Sequence, residues 1–219
     1  MPRTNTTHQT SFTRPGNVTY TFITLKNPLK ATTITLPPGS PWTSGLHWHE
    51  THTEYLQIIQ GVARVTLNGI TQNYTAEDGI VVVPRFARHE WQRADDVHSY
   101  NDVNLIVREW TDPIDGQKEI FFRNLNSAIL DASATGPLSE FWLTLQLFMI
   151  SAALDNYPVL WSGPKSLRFV GREIEWVVTH VVLFVAVVLG RALGLRAVWD
   201  EYTPVSLLRQ IDTRKERIA

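Results

Sequence analysis

The sequence predicts an all-β fold, one small antiparallel barrel, followed by a mainly helical, hydrophobic C-terminal extension. Three observations lead there. Between about residues 15 and 110 apolar and polar residues alternate in short runs, the period of half-buried strands. Those runs are separated by Gly, Pro and an Asn-Gly pair. Beyond Asp112-Pro113 the character changes, and from about residue 136 long apolar stretches replace the alternating ones. A chain of 219 residues has room for one barrel and an appendage. The expected division is a flexible N-terminus over 1–14, a barrel over 15–125 and a helical extension over 136–219.

Thr19-Tyr20-Thr21-Phe22-Ile23-Thr24-Leu25 and Ala31-Thr32-Thr33-Ile34-Thr35-Leu36 alternate apolar residues with Thr and read as the first strands. Pro37-Pro38-Gly39-Ser40-Pro41 is a turn, after which Gly45-Leu46-His47-Trp48-His49 extends again. Tyr55-Leu56-Gln57-Ile58-Ile59 leads to Gly61, and Arg64-Val65-Thr66-Leu67 faces Ile70-Thr71-Gln72 across Asn68-Gly69. Asn-Gly suits a type I′ turn, which needs positive φ at both central residues. Ile80-Val81-Val82-Val83, closed by Pro84, and Val103-Asn104-Leu105-Ile106-Val107 supply two more strands. The uncharged stretches 141–154 and 176–190, the second continuing to Leu195 with one arginine inside, read as helices. Each is shorter than the roughly 20 apolar residues of a membrane span, so buried or interface helices are expected. Membrane contact through 141–195 stays open, because Arg191, Arg196, Arg209, Arg214 and Lys215 would suit a cytoplasmic flank.

Composition narrows the function classes. With 43% hydrophobic and 19% charged residues the chain is neither fibrous nor disordered. Twenty Lys plus Arg against 21 Asp plus Glu leave a net charge of -1 and no basic stripe, so nucleic acid is not an expected partner. The absence of Cys removes disulfides, thiolate metal sites and a Cys nucleophile. Residues 1–14 are polar without an apolar core, so no cleaved signal is expected and the expected compartment is cytoplasmic. On that footing the sequons at Asn5, Asn17 and Asn73 are chance matches. No Gly-rich phosphate loop and no Gly-x-Ser-x-Gly elbow occurs.

What remains is metal chemistry from His and carboxylates. His47 and His49, two apart on a strand, leave from the same face and can converge on one ion. Glu54 has the opposite parity on an unbroken strand, but Glu50-Thr51-His52-Thr53 is polar enough to form a turn that resets the face. His89 follows Pro84 and returns alongside them across the Asn68-Gly69 hairpin. Three imidazoles and a carboxylate suit one divalent transition metal, Fe(II) expected first, with Mn, Ni, Cu or Zn open. His8, His98 and His180 have no ligand spacing. Trp48, Tyr55, Phe86 and Trp91 lie near the ligands in sequence and are candidate walls of a substrate site, the alternative being ordinary barrel core. Glu50 and His52 are candidates for proton movement, against the alternative of a solvated turn.

The order of these pieces resembles the cupin superfamily. His47-Trp48-His49, Glu54 and Gly61 match the body of its first motif, and Gly79 with Pro84-Arg85-Phe86-Ala87-Arg88-His89 is similar to the second. The resemblance covers about residues 30–110 and implies a single jelly-roll β-barrel with a metal held by His47, His49, Glu54 and His89. The chain departs from the pattern at turns: Pro41 and Phe86 stand where glycines are expected, and the spacing from Gly79 to Pro84 is one residue short. Arg93 stands where the motif often ends in Asn.

A single barrel with an apolar extension is similar to small fungal cupin oxidoreductases of secondary-metabolite clusters. Gly190-Arg191-Ala192-Leu193-Gly194-Leu195 and Glu201-Tyr202-Thr203-Pro204 add to that likeness. It implies oxidation of a small aromatic or polyketide-derived intermediate. A metal-assisted non-redox isomerase, cyclase or decarboxylase, or a non-catalytic ligand-binding cupin, are the alternatives. The expected partners are a small-molecule substrate and a second copy of the chain in a homodimer.

Overall fold

A computed structural model describes residues 3–22, 30–95, 102–132, 139–161 and 171–209. Two antiparallel sheets are built from the first half of the chain and one two-residue strand that follows the second helix. One contains β1 (Ser11–Arg14), β2 (Val18–Phe22), β3 (Thr32–Leu36), β5 (Thr53–Gln60), β8 (Ile80–Val83) and β10 (Leu105–Asp112), in the order β1-β2-β3-β10-β5-β8. The other contains β4 (His47–Trp48), β6 (Ala63–Leu67), β7 (Ile70–Tyr74), β9 (His89–Arg93) and β11 (Tyr157–Pro158), in the order β11-β4-β9-β6-β7. Alternation orients both sheets: Tyr20, Ile34, Leu56 and Val107 from the first and Val65 and Trp91 from the second meet in one core.

The turns follow the sequence chemistry. Asn68 and Gly69 take φ of 50° and 84° between β6 and β7, whose register runs from Leu67 opposite Ile70 to Ala63 opposite Tyr74. Gly61, at φ 81°, lies against the backbone of the strand approach at Asn104, where a Cβ would stand 2.9 Å from the carbonyl oxygen. A side chain at this turn would push β5 away from β10.

Two differences from the sequence expectation are physical. Pairing begins before residue 15: β1 pairs with β2 across a Gly16-Asn17 turn, and Phe12 is buried edge-on against Phe22. Strand pairing beyond Phe22, and the expected helical boundary near residue 136, lie outside the described residues. The fold is also not all-β, because helices follow the last long strand directly. α1 (Gln117–Ala132) opens inside the range assigned to the barrel, followed by α2 (Ser139–Ala153) and α3 (Gly171–Ala192). α1 escapes an apolar-period reading because its buried face includes Glu119, Arg123, Asn124, Asn126 and Ser127 beside Ile120, Phe121 and Phe122. Several of these polar groups are paired within the protein: Glu119 accepts from Arg123 Nε at 2.8 Å, and Asn124 donates to Thr203 Oγ1 at 2.9 Å.

The two expected apolar helices are α2 and α3. α3 packs on α2 at Gly190, where an added Cβ would overlap the Met149 sulfur. It buries Glu175, Thr179, Leu183, Ala186 and Gly190, while Val177, Val181, Phe184, Val185 and Val188 are each half exposed or more. By length and composition α3 is long and apolar enough to cross a membrane, with 28% of its apolar window buried against the protein.

Candidate metal centre

The ladder places the three histidines. His47 on β4 is the cross-strand partner of His89 on β9, with ring centroids 4.1 Å apart. His49 follows β4, and its ring lies 5.0 Å from that of His47 and 5.2 Å from that of His89. The bend at Glu50 and Thr51 precedes β5, so Glu54 points inward with Leu56 and Ile58. One ligand atom from each of His47, His49, Glu54 and His89 lies within 4.8 Å of all the others, and all four residues are buried.

Backbone carbonyls fix the rings. Nδ1 of His47 donates to Gly45 O at 2.8 Å, Nδ1 of His89 to Ala87 O at 3.0 Å, and Nδ1 of His49 to Asp155 O. With the protons on Nδ1, the Nε2 lone pairs are left to face one another and Glu54. His89 Nε2 is buried and makes no hydrogen bond.

His49 poses a sharper problem. Its Nε2 lies 2.8 Å from Glu54 Oε2 while its Nδ1 meets a carbonyl, so both partners are acceptors. A neutral imidazole has one N–H to give. Burial holds the His49 pKa below its ordinary value despite Glu54, so the second proton is disfavoured. For His47, burial followed by the neighbouring His89 and His49 drives the pKa well down. Neutral rings with inward lone pairs beside a carboxylate fit a bound divalent cation, which takes lone pairs and negative charge from the same direction.

Three residues that the sequence reading missed complete the surroundings. Lys118 on α1 reaches Glu54 Oε2 and lies 3.4 Å from Glu109 Oε2. Glu109 on β10 accepts from Trp91 Nε1 at 2.5 Å. Burial would raise the Glu54 pKa, but Lys118 and the bond with His49 outweigh it and hold the carboxyl well below the usual range. For Glu109, burial wins over Lys118 and pushes the pKa up to about 6. Burial would lower the Lys118 pKa, and the two carboxylates reverse that and raise it.

Asp155, just beyond α2, is the third. Its main-chain oxygen holds His49, and its carboxylate accepts from Glu50 N at 2.7 Å, Thr51 Oγ1 at 2.8 Å and His52 Nδ1 at 2.6 Å. The inward parity of Glu109 on its strand was available as a signal. Lys118 and Asp155 carry none, since they arrive from helical segments whose register on the sheets is set by tertiary packing.

The other candidates fall elsewhere. Glu50 points away from the cluster and accepts from Trp48 Nε1 at 3.1 Å and Trp176 Nε1 at 2.7 Å. His52 is buried between Asp155 and Asp115, the latter 3.1 Å from its Nε2. Both are therefore held in structural pairs rather than left in a solvated turn. Trp48, between two inward histidines, faces the opposite side and stacks on Tyr157 with centroids 5.7 Å apart. Tyr55, one residue past Glu54, likewise faces out and stacks on Trp110 at 5.4 Å. Phe86 is 50% exposed on an outer groove beside Trp176. The structure thus corrects the expected aromatic wall: strand alternation turns neighbours of inward ligands outward. Trp91 does share the His89 side, fully buried beneath Trp42 with centroids 4.8 Å apart.

A cavity of about 300 Å³ opens over His47. Tyr20 and Trp42 from the sheet side and Phe121, Phe122, Leu147 and Phe148 from α1 and α2 wall it. A second cavity of about 260 Å³, lined by Trp142, Trp199 and Tyr202, contains none of the cluster.

No family model matches the chain. It is 26% identical over 182 residues to a probable oxidoreductase of Hypocrea virens, covering 81% of this chain and 73% of that protein. It is 27% identical over 157 residues to an oxidoreductase of Pestalotiopsis fici, covering 69% of this chain and 72% of that protein. Among solved structures it is similar to the cupin domain of Schizosaccharomyces pombe Cnp3, at 19% identity and a TM-score of 0.33, over 47% of this chain and 70% of that one.

Proposed function

We propose that this chain is a metal-dependent cupin oxidoreductase, a single jelly-roll barrel that oxidises a small aromatic or polyketide-derived intermediate of secondary metabolism. The observation that carries the metal is His49, whose one proton faces two acceptors, with the bare Nε2 of His89 beside it. His47, His49, Glu54 and His89 would hold the ion, with Fe(II) first among the candidates. A bound divalent ion supplies redox or Lewis-acid capacity that no side chain here has.

The chain's own residues supply the rest. Asp155, Gly45 and Ala87 set the ring tautomers through their carbonyls. Lys118 balances part of the charge of Glu54 and Glu109 in a buried site. Phe121, Phe122 and Phe148 roof the cavity, exclude water and orient a flat apolar substrate against Trp42. The names of the two fungal relatives support the oxidoreductase class.

The test is metal content by mass spectrometry on purified protein beside a His47→Ala, His49→Ala double variant. Near one equivalent of iron, lost in the variant, is the expected result, followed by O2 uptake with aromatic polyketide substrates. Turnover without O2 uptake would move the reading to a non-redox isomerase or decarboxylase. No metal in either protein after reconstitution would overturn the metal reading.

A further inference from the structure

The charged lining of the cavity over His47 is Arg14, Lys118 and Glu109. Lys118 and Glu109 are committed to each other and to Glu54 and Trp91. Arg14 is different. Half-buried at the end of β1, its guanidinium lies 5.0 Å above the Tyr20 ring, and among the described residues no carboxylate pairs with it. Burial raises the Tyr20 pKa, so the ring beneath Arg14 stays neutral.

The rings connect this cation to the reacting end. Tyr20 touches Phe122 with centroids 5.2 Å apart, Trp42 lies 6.4 Å from Tyr20, and Lys118 sits 5.1 Å from the Phe122 centroid. An apolar, aromatic-walled cavity therefore has a donor fork without an acidic partner on its wall and one residue of the metal-ligand cluster, His47, on its floor. A guanidinium in this setting recognises a planar anion by paired, charge-assisted N–H bonds.

Resting on the reading of this cavity as the substrate site, we infer that the substrate is a one- or two-ring aromatic anion, a carboxylate or acidic phenol, whose charge is held by Arg14 while its rings lie along Tyr20 and Trp42. Arg14 sets substrate class. The metal ligands take no part in this selection.

The probes are 2-naphthoate and its neutral counterpart 2-naphthylmethanol, titrated calorimetrically into the full-length protein, both metal-loaded and after chelation. Naphthoate is expected to bind about tenfold or more tightly than the alcohol in both states, as one charge-assisted contact allows. Arg14→Gln is expected to erase that ratio with alcohol affinity unchanged, and Arg14→Lys to retain part of it. Equal binding of the two probes by the wild type would overturn the inference. So would a ratio that appears only with metal and survives Arg14→Gln, since the ion would then hold the anion. Anion preference in a chain that takes up no metal keeps this inference and sinks the oxidoreductase reading; metal uptake without anion preference does the reverse.

Discussion

The site around the histidine cluster has two walls of different origin. The sheet wall carries His47, His49, Glu54 and His89, placed by ladder register and by a two-residue hairpin. The helical wall, from α1 and the end of α2, brings Lys118, Phe121, Phe122 and Asp155. The first wall determines what can be bound at the floor; the second determines charge balance, ring orientation and shape. Local rules dictate the sheet wall, because alternation and turn chemistry act over a few residues. The helical wall depends on how two helices pack, which no local pattern encodes.

Removing a ligand from the sheet wall tests that division with the largest effect. His89→Ala should lower metal affinity by about 100-fold or more, read by competition with a chromophoric chelator, while the far-ultraviolet spectrum stays unchanged. Asp155→Ala attacks the helical wall instead. Loss of its buried bonds to Thr51 and His52 should lower unfolding free energy by about 3 kcal/mol and metal affinity by roughly tenfold. If metal affinity is untouched, the main-chain carbonyl of residue 155, which the variant keeps, holds the His49 ring without help from the carboxylate.

Lys118→Met separates the walls by condition. In chelated protein two buried carboxylates lose their cation, and a loss of about 3 kcal/mol is expected in urea unfolding. In metal-loaded protein Glu54 keeps an opposite charge, so the loss should be smaller. Equal losses in both states would mean that Glu54 does not bind the ion.

A pH effect follows from Glu109, faced by Lys118, Glu54 and Trp91. Burial raises its folded pKa to about 6 from 4.5, so between those values the folded state holds more proton than the unfolded one. Its contribution to stability is therefore present below about pH 4.5 and lost as pH rises through about 6. Urea midpoints of chelated Glu109→Gln should be flatter across that window than those of the wild type. The smallest effect is at Phe86, a non-glycine residue in the left-handed region with φ of 63°. Phe86→Gly should stabilise by about 0.5–1 kcal/mol without changing metal content, provided the half-exposed ring contributes little.

Much of the sheet wall was legible in the sequence. Two histidines one strand period apart, a polar bend before Glu54 and an Asn-Gly hairpin carrying the chain back to His89 suffice to bring the ligands together. The same periodicity explains the misplaced aromatics: Trp48 and Tyr55 were grouped with the site by nearness in sequence, and adjacency on a strand means opposite faces. Glu109 was readable by parity with Leu105 and Val107. α1 was not, because its inner face is rich in polar residues that find partners only in the folded chain.

Asp155 joins the walls through a single residue in a left-handed conformation, φ 52°, one atom on a histidine ring and the carboxylate on the bend before β5. Helix α2, whose Leu147 and Phe148 border the cavity, ends just ahead of it. A guest that shifts α2 must then alter how His49 is aimed, and linkage makes that influence reciprocal. Occupancy of the cavity and grip on the ion should be thermodynamically conjugate: filling one strengthens or weakens the other by the same factor.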